Sequence, residues 1–272
     1  MFLPTTTKEV EARGWDELDV IIFSGDAYID HPAFGPAVIG RILEAEGYRV
    51  AIVPQPNWRD DLRDFKKLGK PRLFFAVSAG AMDSMVNHYT ANLRLRSNDA
   101  YTPGGKAGFR PDRTVDTYTK ILKKLYPHTP VVVGGIEASL RRLTHYDYWT
   151  DRLQQSILIS SGADLLIYGM GDKVIREVAK AMRNGFNMKL LRGLRQVGFV
   201  ADKEYVERLY NGKTIVLNSF EECQRNKHKF GENFCHIETL SNMMQCETTL
   251  VERVGDGYVV ITPPHERLTT EE

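Results

Sequence analysis

One short segment, GDAYIDHP at residues 25–32, combines two carboxylates, a phenol and an imidazole. Asp26, Asp30 and His31 are residue types that act as general acids, general bases or metal ligands. A structural interpretation is also open, in which Asp30 caps the following helix and His31 is a solvated loop residue. The position of the segment directly after an apolar run favours a functional role, whereas residue type alone does not.

A second segment, from Glu137 to Trp149, is dense in charges and aromatic rings. Arginine presents a planar fork that suits a carboxylate or a phosphate, and the aromatic rings would form the walls of such a site. The alternative is a surface helix whose arginines pair with nearby acids. The residues predicted to contact a substrate or another domain are Glu137, Arg141, Arg142, His145, Tyr146 and Trp149.

A third candidate is the polar stretch NDAYTPGGKAGFRPD, residues 98–112, which has no helical or strand period. It is long for a connection within a compact α/β domain, and loops of this length are usually functional or disordered. We predict that Tyr101, Lys106 and Arg110 contact a substrate or another domain, with the basic side chains beside a glycine pair suited to phosphate. A plain surface loop is the alternative.

Glycines follow the apolar runs of the chain. Glycine lets the backbone approach a ligand closely and adopt a positive φ without steric cost. The glycines in question are Gly25, Gly80, Gly134, Gly135, Gly169 and Gly171. Each one alone is explained equally well by a tight turn, but the set predicts a ligand cleft. No turn spells GxGxxG or GxxxxGK followed by Ser or Thr, so the usual dinucleotide and P-loop interpretations are weak.

The apolar runs are the elements that must position these groups. They are rich in β-branched residues and lack apolar/polar alternation, which is typical of strands buried on both faces. The main runs cover residues 20–24, 73–77, 130–133 and 165–168. Helix-period segments lie between them, so we predict an α/β fold with a doubly wound, mainly parallel, Rossmann-like sheet. The predicted helices include short ones over residues 60–68, 80–88 and 153–160. Such sheets bind ligands at the carboxyl ends of their strands.

The character of the sequence changes near Met188, where strong strand and helix periods give way to polar sequence. We therefore predict a Rossmann-like domain over residues 1–187 and a carboxyl-terminal α+β extension packing on it over residues 188–262. The proline-rich, polar stretch at residues 263–272 is predicted to be a linker towards a further domain.

Composition argues against several classes of partner. The 36 Lys and Arg residues against 35 Asp and Glu give a formal net charge of +1, which indicates no nucleic-acid or anionic-membrane surface. No apolar stretch approaches the ~18 residues of a membrane-spanning helix, so we expect a cytoplasmic protein. Cys223, Cys235 and Cys246 are too widely spaced for a CxxC zinc pair or a compact iron–sulfur motif. No metal site is predicted, and a site built from these cysteines with His228 or His236 is the alternative.

Four stretches resemble a known family: SGDAYIDHPAFG, NDAYTPGGKAGFRPDR, GGIEASLRRLTHYDYW and ADLLIYGMGDK. They are similar to the amino-terminal region of the YgiQ family of radical S-adenosylmethionine (SAM) proteins, and the resemblance covers essentially the whole chain. It implies a following radical SAM barrel whose CxxxCxxC motif holds a 4Fe-4S cluster that reductively cleaves SAM. This chain has no CxxxCxxC. The resemblance therefore implies an accessory part that performs no radical chemistry alone and has its own barrel as partner.

The pattern of strands and glycine turns also resembles the cobalamin-binding domain that often precedes radical SAM barrels. In those domains the nucleotide tail of the corrin lies between sheet and helices at the carboxyl edge. The resemblance implies cofactor contacts at the six glycines and at Asp26, Asp30 and His31. The chain departs from the DxHxxG pattern that supplies an axial histidine, because Asp30 and His31 are adjacent. Cobalamin binding without a histidine, or a fold that has lost the cofactor, both stay open.

Our main hypothesis is a substrate- or cofactor-binding accessory domain of a radical SAM enzyme, with no catalytic residue of its own. The first alternative is a stand-alone α/β enzyme, such as a hydrolase or transferase acting on a small molecule, that uses Asp26, Asp30 and His31 directly. The second is a non-catalytic docking module, which predicts an exposed apolar patch.

Overall fold

The computed structural model describes residues 2–209, 213–266 and 268–269. Its strands are β1 (Val20–Ser24), β2 (Val50–Pro54), β3 (Phe74–Ser78), β4 (Val131–Gly134), β5 (His145–Asp147), β6 (Arg152–Gln154), β7 (Leu165–Ile167), β8 (Val197–Ala201), β9 (Thr214–Val216), β10 (Thr249–Val254) and β11 (Gly257–Ile261). Its α-helices are α1 (Thr7–Glu11), α2 (Gly35–Ala45), α3 (Arg63–Lys66), α4 (Ser84–His88), α5 (Thr114–Leu125), α6 (Gly135–Leu140), α7 (Ile157–Ser161), α8 (Asp172–Arg183), α9 (Lys203–Leu209), α10 (Phe220–Arg225) and α11 (Lys227–Ser241).

The central feature is a mixed sheet with the strand order β2-β1-β3-β4-β7-β8-β11-β10-β9. The first five strands in this order are mutually parallel. Their order, 2-1-3-4 followed by the next parallel strand, is that of a flavodoxin-like doubly wound sheet, whose ligands bind where the order reverses, between the first and third strands. The remaining strands continue the sheet, and β8 is antiparallel to both β7 and β11. The pair β5–β6 forms a separate hairpin.

Helices cover both faces of the sheet. On one face α2 and α8 pack together, and Leu43 and Ile175 join a core with Ile22 of β1. On the other face α5 and α7 contribute to a second core, in which Tyr118 packs near Phe23. All five residues of β1 are buried, because a strand covered on both faces has no solvent side. The predicted α/β, doubly wound, mainly parallel fold is confirmed.

The residues of the predicted extension, 188–262, place β8 to β11 in the same sheet as the strands of residues 1–187. A domain boundary at residue 187 and a linker over 263–272 stay predictions. Of that linker, residues 267 and 270–272 lie outside the described part of the chain.

Three predicted elements differ from the structure. A helix over residues 153–160 was expected, but β6 occupies its start and α7 begins only at Ile157. The helix predicted from Gly80 begins at Ser84, because Gly80 has φ 107° and the Asp83 side chain accepts hydrogen bonds from the first-turn amides. The predicted helix over residues 60–68 is shortened to α3, since Leu62 adopts a left-handed φ of 59°. Strands β8 and β10 were not predicted.

Candidate functional site

A cleft of about 380 Å³ opens at the carboxyl edge of the parallel strands, between α2 and α8. We call it the switch-point cleft, because residues of both β1 and β3 line it. Its apolar lining comes from the sheet through Ala76, Val132 and Ile167, and from the helices through Ile39 and Ile175. Small-molecule sites are typically apolar clefts of roughly 300–1,000 Å³, so this cleft has the size and character of a ligand site.

Five of the six predicted cofactor glycines line this cleft: Gly80, Gly134, Gly135, Gly169 and Gly171. At Gly135, with φ 81°, a Cβ would lie 2.6 Å from the Ser78 hydroxyl. At Gly171 a Cβ would lie 3.3 Å from the Ile167 side chain. The space at the strand ends therefore depends on the absence of side chains there.

Gly25 is the exception among the six. It is not part of the cleft lining, and a Cβ at this position would lie 2.3 Å from the Ala79 carbonyl oxygen. Its amide donates to the Ser78 carbonyl over 3.0 Å. The close approach of the β1 and β3 ends is what requires glycine here.

Asp26 lies in a buried ion-pair cluster beneath the strand ends. Its carboxylate Oδ1 is 2.6 Å from a guanidinium nitrogen of Arg110, and its Oδ2 accepts from the Ala81 amide over 2.6 Å. Burial raises the pKa of Asp26, although the charge of Arg110 opposes that rise. A Cβ on Gly80 would lie 2.1 Å from the Asp26 carboxyl carbon, so this glycine makes room for the buried carboxylate.

The 98–112 loop is tied to the sheet edge by this cluster. Arg110 also bonds to Asp99 over 3.1 Å and donates to the Ala79 carbonyl over 3.0 Å, and its side chain has no solvent exposure. Its partners among the described residues are protein groups, and contact of Arg110 with a substrate or another domain stays a prediction. Tyr101 is half-buried and its carbonyl accepts from Ala27 over 2.9 Å, whereas Lys106 pairs through its backbone with residue 98.

Asp30 and His31 have hydrogen-bond partners different from those of Asp26. Asp30 is held by Arg41, whose Nε donates over 2.9 Å, and this hydrogen bonding lowers the pKa of Asp30. The exposed His31 accepts from the Ala33 amide through Nδ1 over 3.1 Å. Neither residue is part of the cleft lining. The structure therefore gives the three residues of the stand-alone enzyme hypothesis three separate sets of partners.

Glu137 is a buried acceptor for two helix amino termini. Its carboxylate accepts from the Val115 amide over 2.8 Å and from the Ser84 amide over 3.3 Å. Its side chain is fully buried, and burial raises its pKa. Arg141, close by, forms an ion pair with Asp83. The alternative drawn from the sequence, that arginines here pair with nearby acids, describes Arg141.

The other residues predicted in this segment have different environments. Arg142 lies 5.4 Å over the Tyr168 ring, and burial lowers its pKa. His145 bonds to the Leu143 carbonyl, and burial lowers its pKa to about 4, so its imidazole is neutral at pH 7. Tyr146 is exposed and donates to Asp151 over 2.7 Å.

Trp149 is half-buried and stacks edge-on against Tyr148. Its indole Nε1 is buried without a hydrogen-bond partner among the described residues. A buried donor of this kind is uncommon, and substrate or domain contact by Trp149 stays a prediction.

The apolar helix residues of the cleft were not predicted as site residues. Val38, Ile39 and Ile175 have helical spacing, which the sequence alone assigns to a core. No signal in the sequence marks them as site residues, because the strand order that creates the switch point is a property of the folded sheet.

The lining of the cleft suits an apolar chemical group better than it suits a metal ion. Among the described residues that line it there is no histidine, so an axial imidazole is not supplied from its walls. In the same part of the chain no group of three or more His, Cys, Asp or Glu side chains is arranged to hold a metal ion. None of the described helices has the length and apolarity to cross a bilayer.

Comparisons with known proteins give a consistent result. A family model described as radical SAM N-terminal matches residues 2–272. A UPF0313 protein of Porphyromonas gingivalis is 58% identical over 276 residues, covering 99% of this chain and 42% of the relative. A UPF0313 protein of Bacteroides thetaiotaomicron is 56% identical, covering 100% of this chain and 45% of the relative. The chain therefore spans less than half the length of these curated relatives.

Among solved structures, the radical SAM methyltransferase TsrM of Kitasatospora setae, solved with a tryptophan substrate and a SAM analogue, is similar with a TM-score of 0.43. The two chains are 18% identical, and the match covers 68% of this chain and 28% of that chain.

Proposed function

The chain belongs to the radical SAM N-terminal family, and from this membership we propose that it is the accessory domain of a YgiQ-type radical SAM enzyme. The resemblance drawn from the sequence motifs is confirmed at the level of the family. The accessory role, the cytoplasmic location and the truncation before a cluster motif are parts of the proposal. In it, the radical chemistry of the 4Fe-4S cluster and SAM belongs to the longer protein.

Within this proposal the switch-point cleft binds the apolar part of a cofactor or substrate. The observation that carries it is the cleft itself, with about 380 Å³ of space bounded by glycine turns and aliphatic side chains. Gly135 and Gly171 would give the backbone close approach to the ligand, and Ile39 and Ile175 would exclude water from it. The aromatic base at the end of the nucleotide tail of a cobalamin suits this lining. When bound, a cobalamin supplies a cobalt centre that carries alkyl groups.

Gly35 provides the test of this binding role. It lies at the first position of α2 and lines the cleft, and no atom lies within 4 Å of a Cβ built there. A Gly35→Leu variant should therefore fold and fill part of the cleft. Gly231→Leu is the matched control, because Gly231 is an exposed residue of α11 with the same free space.

The measurement is titration calorimetry with hydroxocobalamin, and separately with SAM, supported by absorption spectra. We expect hydroxocobalamin to bind the unmodified chain, Gly35→Leu to bind it at least tenfold more weakly, and Gly231→Leu to match the unmodified chain. Heat from SAM that is lost only in Gly35→Leu would make the cleft a SAM or substrate site. Absence of binding by both compounds, or equal binding to both variants, would contradict a ligand cleft.

The carboxyl edge of the sheet is also the surface that we propose faces the radical SAM barrel. Large apolar side chains follow four of the parallel strands and are exposed to solvent by 43% to 69%. They are Ile29 after β1, Val86 after β3, Ile136 and Leu140 after β4, and Met170 after β7. Large apolar side chains that are exposed to solvent occur at interaction sites, which supports a contact with the remainder of the longer relatives.

A further inference from the structure

A second cavity, of about 740 Å³, lies on the α5 side of the carboxyl edge. We call it the arginine groove, and its lining includes Trp58, Arg59, Met85, His88, Tyr89 and Arg96. It shares no lining residue with the switch-point cleft. It is therefore a separate site that the proposed cleft function does not use.

His88 is the unusual residue of the groove. Its Nδ1 lies 2.8 Å from a carboxylate oxygen of Asp112, whose other oxygen accepts from the Tyr89 hydroxyl over 3.0 Å. In the neutral form of the imidazole the carboxylate accepts from the proton-bearing nitrogen, so in that form the proton is on Nδ1 and the lone pair is on Nε2. His88 is 5% exposed, and its Nε2 is buried without a partner among the described residues.

In the described part of the chain, two arginines of the groove lack the carboxylate partners that its other arginines have. Most charged groups of the groove are already paired, including Arg113 with Asp147 at 2.5 Å and Asp116 with Lys120 at 2.7 Å. Two exposed arginines differ from these. Arg59 lies 4.6 Å over the Trp58 ring, and Arg96 donates to the Tyr89 carbonyl over 3.2 Å.

Arg59 and Arg96 have no carboxylate partner among the described residues, so each presents guanidinium donors at the groove. Guanidinium groups of this kind bind carboxylates and phosphates through paired hydrogen bonds. The described part of the groove thus offers two cationic groups, one imidazole acceptor and the apolar surfaces of Trp58 and Met85.

We propose that the arginine groove binds a small hydroxylated anion, with its carboxylate or phosphate on Arg59 and Arg96 and its hydroxyl donating to His88 Nε2. Asp112, a half-exposed carboxylate that also lines the groove, is a positioning residue in this site, since it orients the imidazole. The buried, unpartnered Nε2 is then an acceptor kept for the ligand, which accounts for a polar atom that a folded protein otherwise satisfies.

The test uses L-malate, succinate and inorganic phosphate as probes with the complete chain. Malate and succinate differ by one hydroxyl, so they separate the imidazole contact from the arginine contacts. We expect malate to bind at least fivefold more tightly than succinate. The double variant Arg59→Ala/Arg96→Ala should weaken malate at least tenfold, and Arg225→Ala, at an exposed position of α10, should leave it unchanged.

A nitrogen-15 NMR spectrum of the histidine rings provides the second readout, which needs no variant at a buried position. We expect the His88 Nε2 resonance to move on titration with malate or phosphate, while exposed His128 stays fixed. Response to phosphate alone would assign the site to phosphate esters. The proposal is overturned if neither anion moves His88 Nε2, or if affinity is the same with and without the two arginines.

Discussion

Glu252, in the middle of β10, links the stability of the fold to pH. Its side chain is 1% exposed, and a carboxylate oxygen accepts from the Thr144 amide over 2.8 Å. No ion pair to a basic residue is formed among the described residues. Burial raises the pKa of this carboxyl from its ordinary 4.5 to about 7, and the hydrogen bond from the Thr144 amide opposes that rise.

The sign and size of the effect follow from proton linkage. Between pH 4.5 and about 7 the unfolded chain has released this proton while the folded chain still holds it. Rising pH therefore favours unfolding in this window, and the contribution is constant above it. One pKa unit corresponds to about 1.4 kcal/mol, so ionised Glu252 lowers the free energy of unfolding by at most about 3 kcal/mol.

The perturbation is Glu252→Gln, which keeps the shape and an oxygen acceptor for the Thr144 amide but cannot ionise. Its new amide can donate to the Thr144 hydroxyl oxygen, which is buried without a partner among the described residues. We expect the difference in unfolding free energy between the variant and the unmodified chain to grow by about 2–3 kcal/mol from about pH 5 to about pH 8.

The assay is urea denaturation followed by circular dichroism at several pH values. The raised pKa values of Asp26 and Glu137 affect both proteins alike, so the difference isolates Glu252. Glu11→Gln, at an exposed position of α1, should show a difference that does not change with pH. A flat difference for Glu252→Gln as well would mean that the folded chain carries an ionised carboxylate here, and the reasoning from burial would be refuted.

Two further predictions concern the strand ends. Asp26→Asn removes one partner of the buried Arg110, so we expect a loss of about 3–5 kcal/mol of unfolding free energy; exposed Asp256→Asn is the control, and a loss similar to the control's would contradict a paired Arg110. If the carboxyl edge faces the barrel, amide hydrogen exchange in residues 169–171 and 136–140 should be slower in a longer relative than in this chain. Equal exchange rates would place the contact elsewhere.

The parts of the fold that could be predicted are the buried strands, because an uninterrupted apolar run in the sequence indicates a strand that is buried on both faces. The runs at β1, β3, β4 and β7 lack apolar/polar alternation because the strands are covered on both faces. By contrast, β8 and β10 escaped prediction. β10 carries Glu252 and Arg253 within its six residues, and a charged residue is buried there only because the segment before β5 supplies a hydrogen-bond donor.

The candidate site likewise contains residues that the sequence could identify and residues whose role it could not assign. Gly80, Gly135 and Gly171 could be identified from sequence because each closely follows an apolar run, although the group that needs the space, such as the Asp26 carboxylate beside Gly80, is distant in sequence. Arg110 could not be assigned, since the same residue type in a polar loop serves a ligand or a buried carboxylate equally well. Its partner Asp26 is distant in sequence, and the 2.6 Å contact exists only once the loop has packed on the strand end.

The sequence by itself determined the family, the succession of strands and helices and the glycines at the carboxyl edge, because these depend on neighbouring residues and on motifs that can be read in order. The tertiary structure alone decided which polar residues are buried and with which partners. Burial and pairing depend on contacts between segments far apart in the chain, such as His88 with Asp112 and Glu252 with Thr144. Those contacts separate a ligand site from a structural ion pair, because a side chain whose hydrogen bonds are already satisfied within the protein has none left for a ligand.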